Sequence, residues 1–211
     1  MSIESPEFEI KSEEEKAKEE TFQRYLVGLD LGIEQLKDKK ILDLGCGEGG
    51  EFIKECINRG ITQEIYGMDS AIKTDNVDEK YKKNILQGDF EAEFPINDLD
   101  YVISVGAIDP SFEIGDKRDP QKTILSSLKS LKDDGEMRIF PIRNAAPESG
   151  LEGIIELRKK WLEIMNKISL QELVGYELKP IQTRVSVNKS DSWTEEVLII
   201  RKRKTHSLTE K

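Results

Sequence analysis

Asp43, Asp69 and Asp89, together with a glycine-rich turn, are the residues whose types and spacing suit the binding of a nucleoside-like ligand. Asp43 stands near the end of a short apolar run (Ile41, Leu42, Leu44) that breaks into Gly45, Cys46, Gly47, Glu48, Gly49 and Gly50. The apolar pattern resumes at helical spacing with Phe52, Ile53, Cys56 and Ile57. This predicts a strand, a tight turn and a helix, the opening unit of an open α/β sheet. Glycine in such a turn accepts backbone angles that other side chains forbid, and it lets a ligand lie directly on the main chain. Asp69 ends the next apolar run, nineteen residues past Gly50. An acid at that strand tip is placed to accept both hydroxyls of a ribose. The alternative is that Asp69 only caps the turn that follows at Ser70. Asp89 and Phe90 follow the third apolar run.

The spacing Gly45-x-Gly47-x-x-Gly50 also fits the dinucleotide-binding pattern. Glu48 argues against that ligand, because its charge lies where a pyrophosphate would sit and the two would repel. A ligand with a positive centre and free hydroxyls fits better. The string Asp43-Leu44-Gly45-Cys46-Gly47-Glu48-Gly49 resembles motif I of the class I S-adenosylmethionine-dependent methyltransferases. The resemblance covers about residues 38–202 and implies S-adenosylmethionine as cofactor, with S-adenosylhomocysteine as product. It implies that Asp43, Gly45, Cys46 and Gly47 line the cofactor and that Asp69 and Ser70 hold its ribose. In the same way Asp89 would take the adenine amino group and Phe90 would stack on the ring. Ser104 and Val105, in a stretch that resembles the family's fourth-strand end, complete the implied cofactor-binding set. Asp109-Pro110-Ser111-Phe112 invites comparison with the motif of enzymes that methylate planar amino groups. It lies several residues too late and lacks the second proline, so that comparison fails.

These residues need strands and helices to hold them. The patterns predict strands over 41–44, 61–69, 84–89, 100–108 and 136–142, the fourth a continuous apolar run of the kind covered on both faces. Helices are predicted over the stripe Phe22, Leu26, Leu29, Ile33 and Leu36, over 76–83, around Ile124, Leu128 and Leu131, and along Ile154, Leu157, Trp161, Met165 and Ile168. Lys132 to Gly135 reads as a turn. The stretches 175–187 and 193–204 are separated only by a polar loop, so they must pair antiparallel. The expected fold class is a doubly wound, mostly parallel α/β sheet of seven strands that ends in an antiparallel hairpin, with helices on both faces. The expected division is an acidic arm and helix over 1–37, acting as lid or packing element, a methyltransferase domain over 38–204, and a tail over 205–211. Within the arm, residues 1–20 read as a solvated stretch; Thr21, Arg24 and Tyr25 could reach the cofactor, but packing is the first reading for them.

Composition narrows the partners. The chain of 211 residues has a net charge of −10, and 35% of its residues are charged. Such a surface disfavours nonspecific nucleic-acid binding, which needs cations against phosphates. The expected acceptor is a small molecule or a protein side chain rather than nucleic acid. Cys46 and Cys56 show no metal-ligand spacing and read as reduced thiols. No apolar leader or membrane-spanning run is present, so the expected compartment is the cytoplasm. The only histidine, His206, lies beyond the last strand, so a histidine base is not expected, and no metal site is. Asp109, Glu113 and Asp116 lie in the loop above the ligand edge, where they could orient a substrate amine. Two further readings stay open: a methyltransferase-like fold that binds without catalysis, and a nicotinamide-dependent oxidoreductase.

Overall fold

β1 (Ile41–Leu44) is buried along its whole length and sits in the middle of the molecule. In the computed structural model, which describes residues 12–90, 94–111, 119–171, 174–181 and 193–202, it is flanked by β2 (Ile65–Asp69) and β4 (Leu99–Val105). With β3 (Ile85–Gln87), β5 (Leu131–Ala145), β6 (Val174–Ile181) and β7 (Trp193–Lys202), the sheet runs in the order β3-β2-β1-β4-β5-β7-β6. β1 to β5 are parallel, and β7 alone runs against its neighbours β5 and β6. This is the expected seven-stranded architecture with its antiparallel hairpin.

The period-two alternation of the strands divides the core in two. Ile41, Ile65, Ile85, Ile103 and Phe140 face α1 (Glu13–Gly28) and α3 (Glu51–Asn58). Leu42, Leu44, Val102, Met137, Ile139, Leu198 and Ile200 face α4 (Pro120–Ser130) and α5 (Glu152–Gln171). From the α5 stripe Trp161, Met165 and Ile168 are buried, while Ile154 and Leu157, a turn or two nearer its start, are half-buried.

The first helix begins earlier than the sequence pattern suggests. Residues expected as a solvated arm include the start of α1, fixed by a capping box: Ser12 Oγ accepts from Glu15 N at 3.2 Å, and Ser12 N donates to Glu15 Oε2 at 2.8 Å. The expected helix over 22–36 is broken after Gly28, with Asp30 at φ 53°, and resumes as the short α2 (Ile33–Leu36). The break is held from β5. The buried Arg138 donates from Nη1 to the carbonyls of Leu29 (2.8 Å) and Asp30 (2.7 Å), and its Nε and Nη2 bind Glu136.

Two other expectations change. The stretch 76–83 forms only 3-10 turns at Thr74–Asn76 and Glu79–Tyr81, because Asp78 Oδ1 takes the Lys80 amide locally and Val77 and Tyr81 anchor the chain to the core. Lys132 to Gly135 is part of β5 rather than a turn. Leu131 already pairs with Leu99, the register shifts before Tyr101, and Gly135 lies so close to β4 that a Cβ there would meet the Leu99 carbonyl at 2.7 Å. The joining loop of the hairpin, the acids Glu113 and Asp116, and His206 lie outside the described residues.

α1 approaches the sheet through Gly28, where a Cβ would come within 2.5 Å of Phe140 Cδ1, in the buried core. Gly28→Val is therefore expected to destabilise the protein by about 1–3 kcal/mol through overpacking. Equilibrium urea unfolding checks this, and an unchanged midpoint would contradict the close approach.

Candidate functional site

The chain winds outward from β1 to β3 and then returns to β4 on the other side of β1. Open sheets of this kind bind ligands outside the carboxyl ends of the strands at that switch point, here above Leu44 and Gly45. Gly45 has φ 81° and donates its amide to the Met68 carbonyl at 2.8 Å. A Cβ on it would stand 2.0 Å from Ala107 Cβ and 3.5 Å from Phe90 Cζ, so this position admits no side chain. Gly45 thus brings Phe90 from the third strand's end and Ala107 from the fourth's to one point. Gly47, at φ 72°, is exposed, with open space where a side chain would be. Gly50 at φ 57° starts α3.

Asp69 braces this turn. Its Oδ2 accepts from Gly47 N at 3.1 Å and its Oδ1 from Ala71 N at 2.9 Å. It caps the loop after β2 and also ties that loop to the glycine turn. Each oxygen keeps a further lone pair for a hydroxyl donor. Ser70, next to it, is exposed. Asp89 is exposed at the same edge, and Phe90 is half-buried against the side of the core that contains Leu44 and Met68.

Asp43 is the unusual group. It lies on the α1 and α3 side of β1, fully buried, and neither carboxylate oxygen has a hydrogen-bond partner. Burial pushes its carboxyl up to about 7, the adjacent Tyr25 hydroxyl pulls the other way without closing a well-formed hydrogen bond, and the Asp69 charge adds to the rise. Tyr25 is delivered by α1 and stacks on Phe52 with ring centroids 4.2 Å apart. The sequence pattern favours packing for Tyr25 over contact with the cofactor. It is buried as expected, but its place beside Asp43 depends on how α1 crosses the sheet, which no local signal encodes.

The other predicted residues divide by where their side chains point. Cys46 turns under α3: a Cβ on Gly67 would meet its Sγ at 2.6 Å, so only its backbone is offered to the crevice. Burial pushes the Cys46 thiol far up and the Cys56 thiol up to about 12, which leaves both unreactive. Ser104 is buried and its Oγ donates to the Leu44 carbonyl at 2.9 Å, joining β4 to the end of β1. Val105 is half-buried, and Gly106, at φ 76°, donates its amide to Phe140 O at 2.7 Å. Glu48 is exposed, so water screens the charge that was expected to bear on the ligand. Asp109 accepts from the Ser111 amide at 2.8 Å. Among the described residues no cluster of acids, histidines or cysteines could hold a metal. No helix among them is long and apolar enough to cross a membrane. Two surface cavities of about 530 and 510 Å³ lie off this edge, one between α1 and α3 around Lys18 and Lys54, the other between α1 and the end of β6.

Residues 42–139 match a family model described as a methyltransferase domain. That stretch holds β1 from Leu42 onward, the glycine turn, Asp69, Asp89 and β4. The chain has the fold of the class I S-adenosylmethionine-dependent methyltransferases, and the matched stretch is similar to a methyltransferase domain. Solved structures share this fold at low identity. The plantazolicin methyltransferase BpumL, solved in complex with SAH, is 14% identical over 91% of each chain, with a TM-score of 0.52. A chain of the Haloferax volcanii complex between the Trm112 methyltransferase activator and its assigned methyltransferase is 15% identical, covering 90% of this chain and 97% of that one, at 0.51. The small RNA methyltransferase HEN1 is 13% identical over 97% of this chain and 27% of its own, at 0.51. No curated protein matches the sequence.

The buried carboxylate makes the stability of the fold sensitive to pH in a defined direction. Asp43 is raised from an ordinary 3.8 to about 7 in the folded state, so between those values the folded chain holds a proton that the unfolded chain has lost. Its stabilising contribution is complete below about pH 4 and is lost as pH rises through about 7. Asp43→Asn should flatten that slope and gain on the wild type by about 3 kcal/mol between pH 5 and pH 8. Chemical denaturation at the two pH values measures this. Parallel pH dependence in the two proteins would contradict it.

Proposed function

We propose that this methyltransferase binds S-adenosylmethionine across the carboxyl edge of β1, β2 and β4 and moves its methyl group to a small-molecule or protein-side-chain acceptor. The observation that carries this reading is Asp43, a fully buried carboxylate without a partner at the end of β1, under a glycine turn open enough for a ligand. An uncompensated buried carboxylate is costly, and a cationic ligand offsets that cost. The residues fit the cofactor that goes with this family. Asp43 opposes its positive charge, Gly45, Cys46 and Gly47 offer main chain, and Asp69 with Ser70 takes the ribose hydroxyls. Asp89 and Phe90 take the adenine, with Val105 beside them. In this reading Ser104 acts through its bond to Leu44, which holds the strand end in place.

When bound, S-adenosylmethionine supplies an activated methyl group on a sulfonium, with a thioether as leaving group. The chain contributes alignment, which is worth many kcal/mol when reacting atoms are held in line. Tyr25, Phe52 and Phe140 contribute by excluding water from the α1 side of the edge. Residues 1–37 serve as a lid or a packing element for the methyltransferase domain over 38–204. The net charge of −10 favours an acceptor other than nucleic acid. The buried, weakly acidic thiols suit a reducing compartment such as the cytoplasm.

Calorimetric titration tests the reading. S-adenosylhomocysteine should bind with micromolar or tighter affinity and NADH should not bind; the reverse result would overturn it. Asp69→Ala should weaken S-adenosylhomocysteine by about 2–3 kcal/mol, the scale of charged hydrogen bonds to two hydroxyls. A loss of stability with affinity kept within about twofold would mean that Asp69 only braces the turn.

A further inference from the structure

β5 and β7 run on past the edge where the parallel strands stop. β4 ends at Val105, paired with Phe140, whereas β5 continues to Ala145 with β7 as its neighbour. A register shift between Ile139 and Ile142 bends this overhang, the usual effect of a bulge. The side chains then alternate. Ile142 and Asn144 take the α4 and α5 side, where Glu196 binds Asn144 Nδ2 at 3.2 Å and Arg158 Nε at 3.1 Å. Arg143 takes the other side, the one that carries Asp43, Phe140 and α1. Its guanidinium lies over the Trp193 ring, 5.2 Å from the centroid, from the diagonal position across the strands.

Arg143 is used differently from the arginines of the core and hairpin. Arg59, Arg138, Arg158 and Arg201 each engage a carboxylate. Arg143 is exposed and, among the described residues, forms no ion pair, although Glu195 sits opposite it on β7. Stacking on a ring occupies the face of a guanidinium and leaves its edge N–H groups free, in the fork that matches an oxyanion. The ring holds the long side chain in place, so less freedom is lost when an anion binds. Trp193 is half-buried and offers a flat surface beside that fork.

We propose that Arg143 and Trp193 form the acceptor platform of this methyltransferase and select an acceptor that carries a carboxylate or phosphate next to an apolar, flat body. The inference rests on the methyltransferase reading and deepens it by naming the acceptor's chemistry. A cationic fork in a chain of net charge −10 gives local attraction for a small anion while the rest of the surface repels polyanions.

The test uses the full chain saturated with S-adenosylhomocysteine, titrated calorimetrically with 4-hydroxybenzoate, phenyl phosphate and the neutral 4-hydroxybenzamide. At least one anion should bind about tenfold more tightly than the amide, and the stronger of the two identifies the oxyanion. Arg143→Gln should abolish that preference while S-adenosylhomocysteine affinity and the unfolding midpoint stay at wild-type values. Arg143→Lys, which keeps charge but loses the planar fork, should restore only part of it. Absence of any anion preference in the wild type, or a preference that survives Arg143→Gln, would overturn the inference alone. Failure of S-adenosylhomocysteine itself to bind would remove the methyltransferase reading and this inference with it.

Discussion

A carboxylate buried without a partner is costly to hold, and the surroundings of Asp43 are organised to hold one. β1 places it at the end of a strand with no exposed residue. α1 crosses to bring Tyr25 beside it, stacked on Phe52 of α3. That crossing depends on anchors far along the chain. Gly28 allows contact with Phe140, and Arg138 binds the carbonyls at the end of α1. The helix before the sheet is therefore part of the core beneath the site, tied to a strand more than a hundred residues later.

The same edge is shaped by a glycine that cannot carry a side chain and by a carboxylate that bonds to the backbone. Gly45 lets Ala107 and Phe90 close in from two strands, and Asp69 joins the glycine turn to the loop after β2 through two amides. Ser104 fixes β4 to the end of β1. These contacts set the strand ends relative to one another. A site that works by alignment would lose rate from a shift between them even with all its charged groups in place.

Much of this was legible in the sequence because it is local. The apolar run, the glycine turn and the helical spacing after it fix β1, the turn and α3, and the terminal pair of strands with no helix between them implies the antiparallel hairpin. What was missed depends on contacts at long range or on competition between local signals. The capping box at Ser12 and Glu15 was present in the sequence but lay inside a charged run that reads as solvent-exposed. Asp78 diverts its neighbourhood into 3-10 turns by a single side-chain bond. The early start of β5 needs Leu99 as a partner, and the inward turn of Cys46 needs the bare backbone of Gly67. Neither the Arg138 clamp nor the Arg143 stack has any signal at its own position.

The central claim is that Asp43 awaits a positive charge, and proton linkage tests it most directly. A cationic group brought beside a carboxyl poised at about 7 lowers it, so binding must expel protons. The measurement is calorimetry of S-adenosylmethionine binding in buffers of different ionisation enthalpy, repeated across the pH range around 7. The account predicts a release of protons that is largest just below pH 7, fades at higher pH and disappears in Asp43→Asn. Tight binding with no proton release at any pH, or the same release in Asp43→Asn, would contradict it.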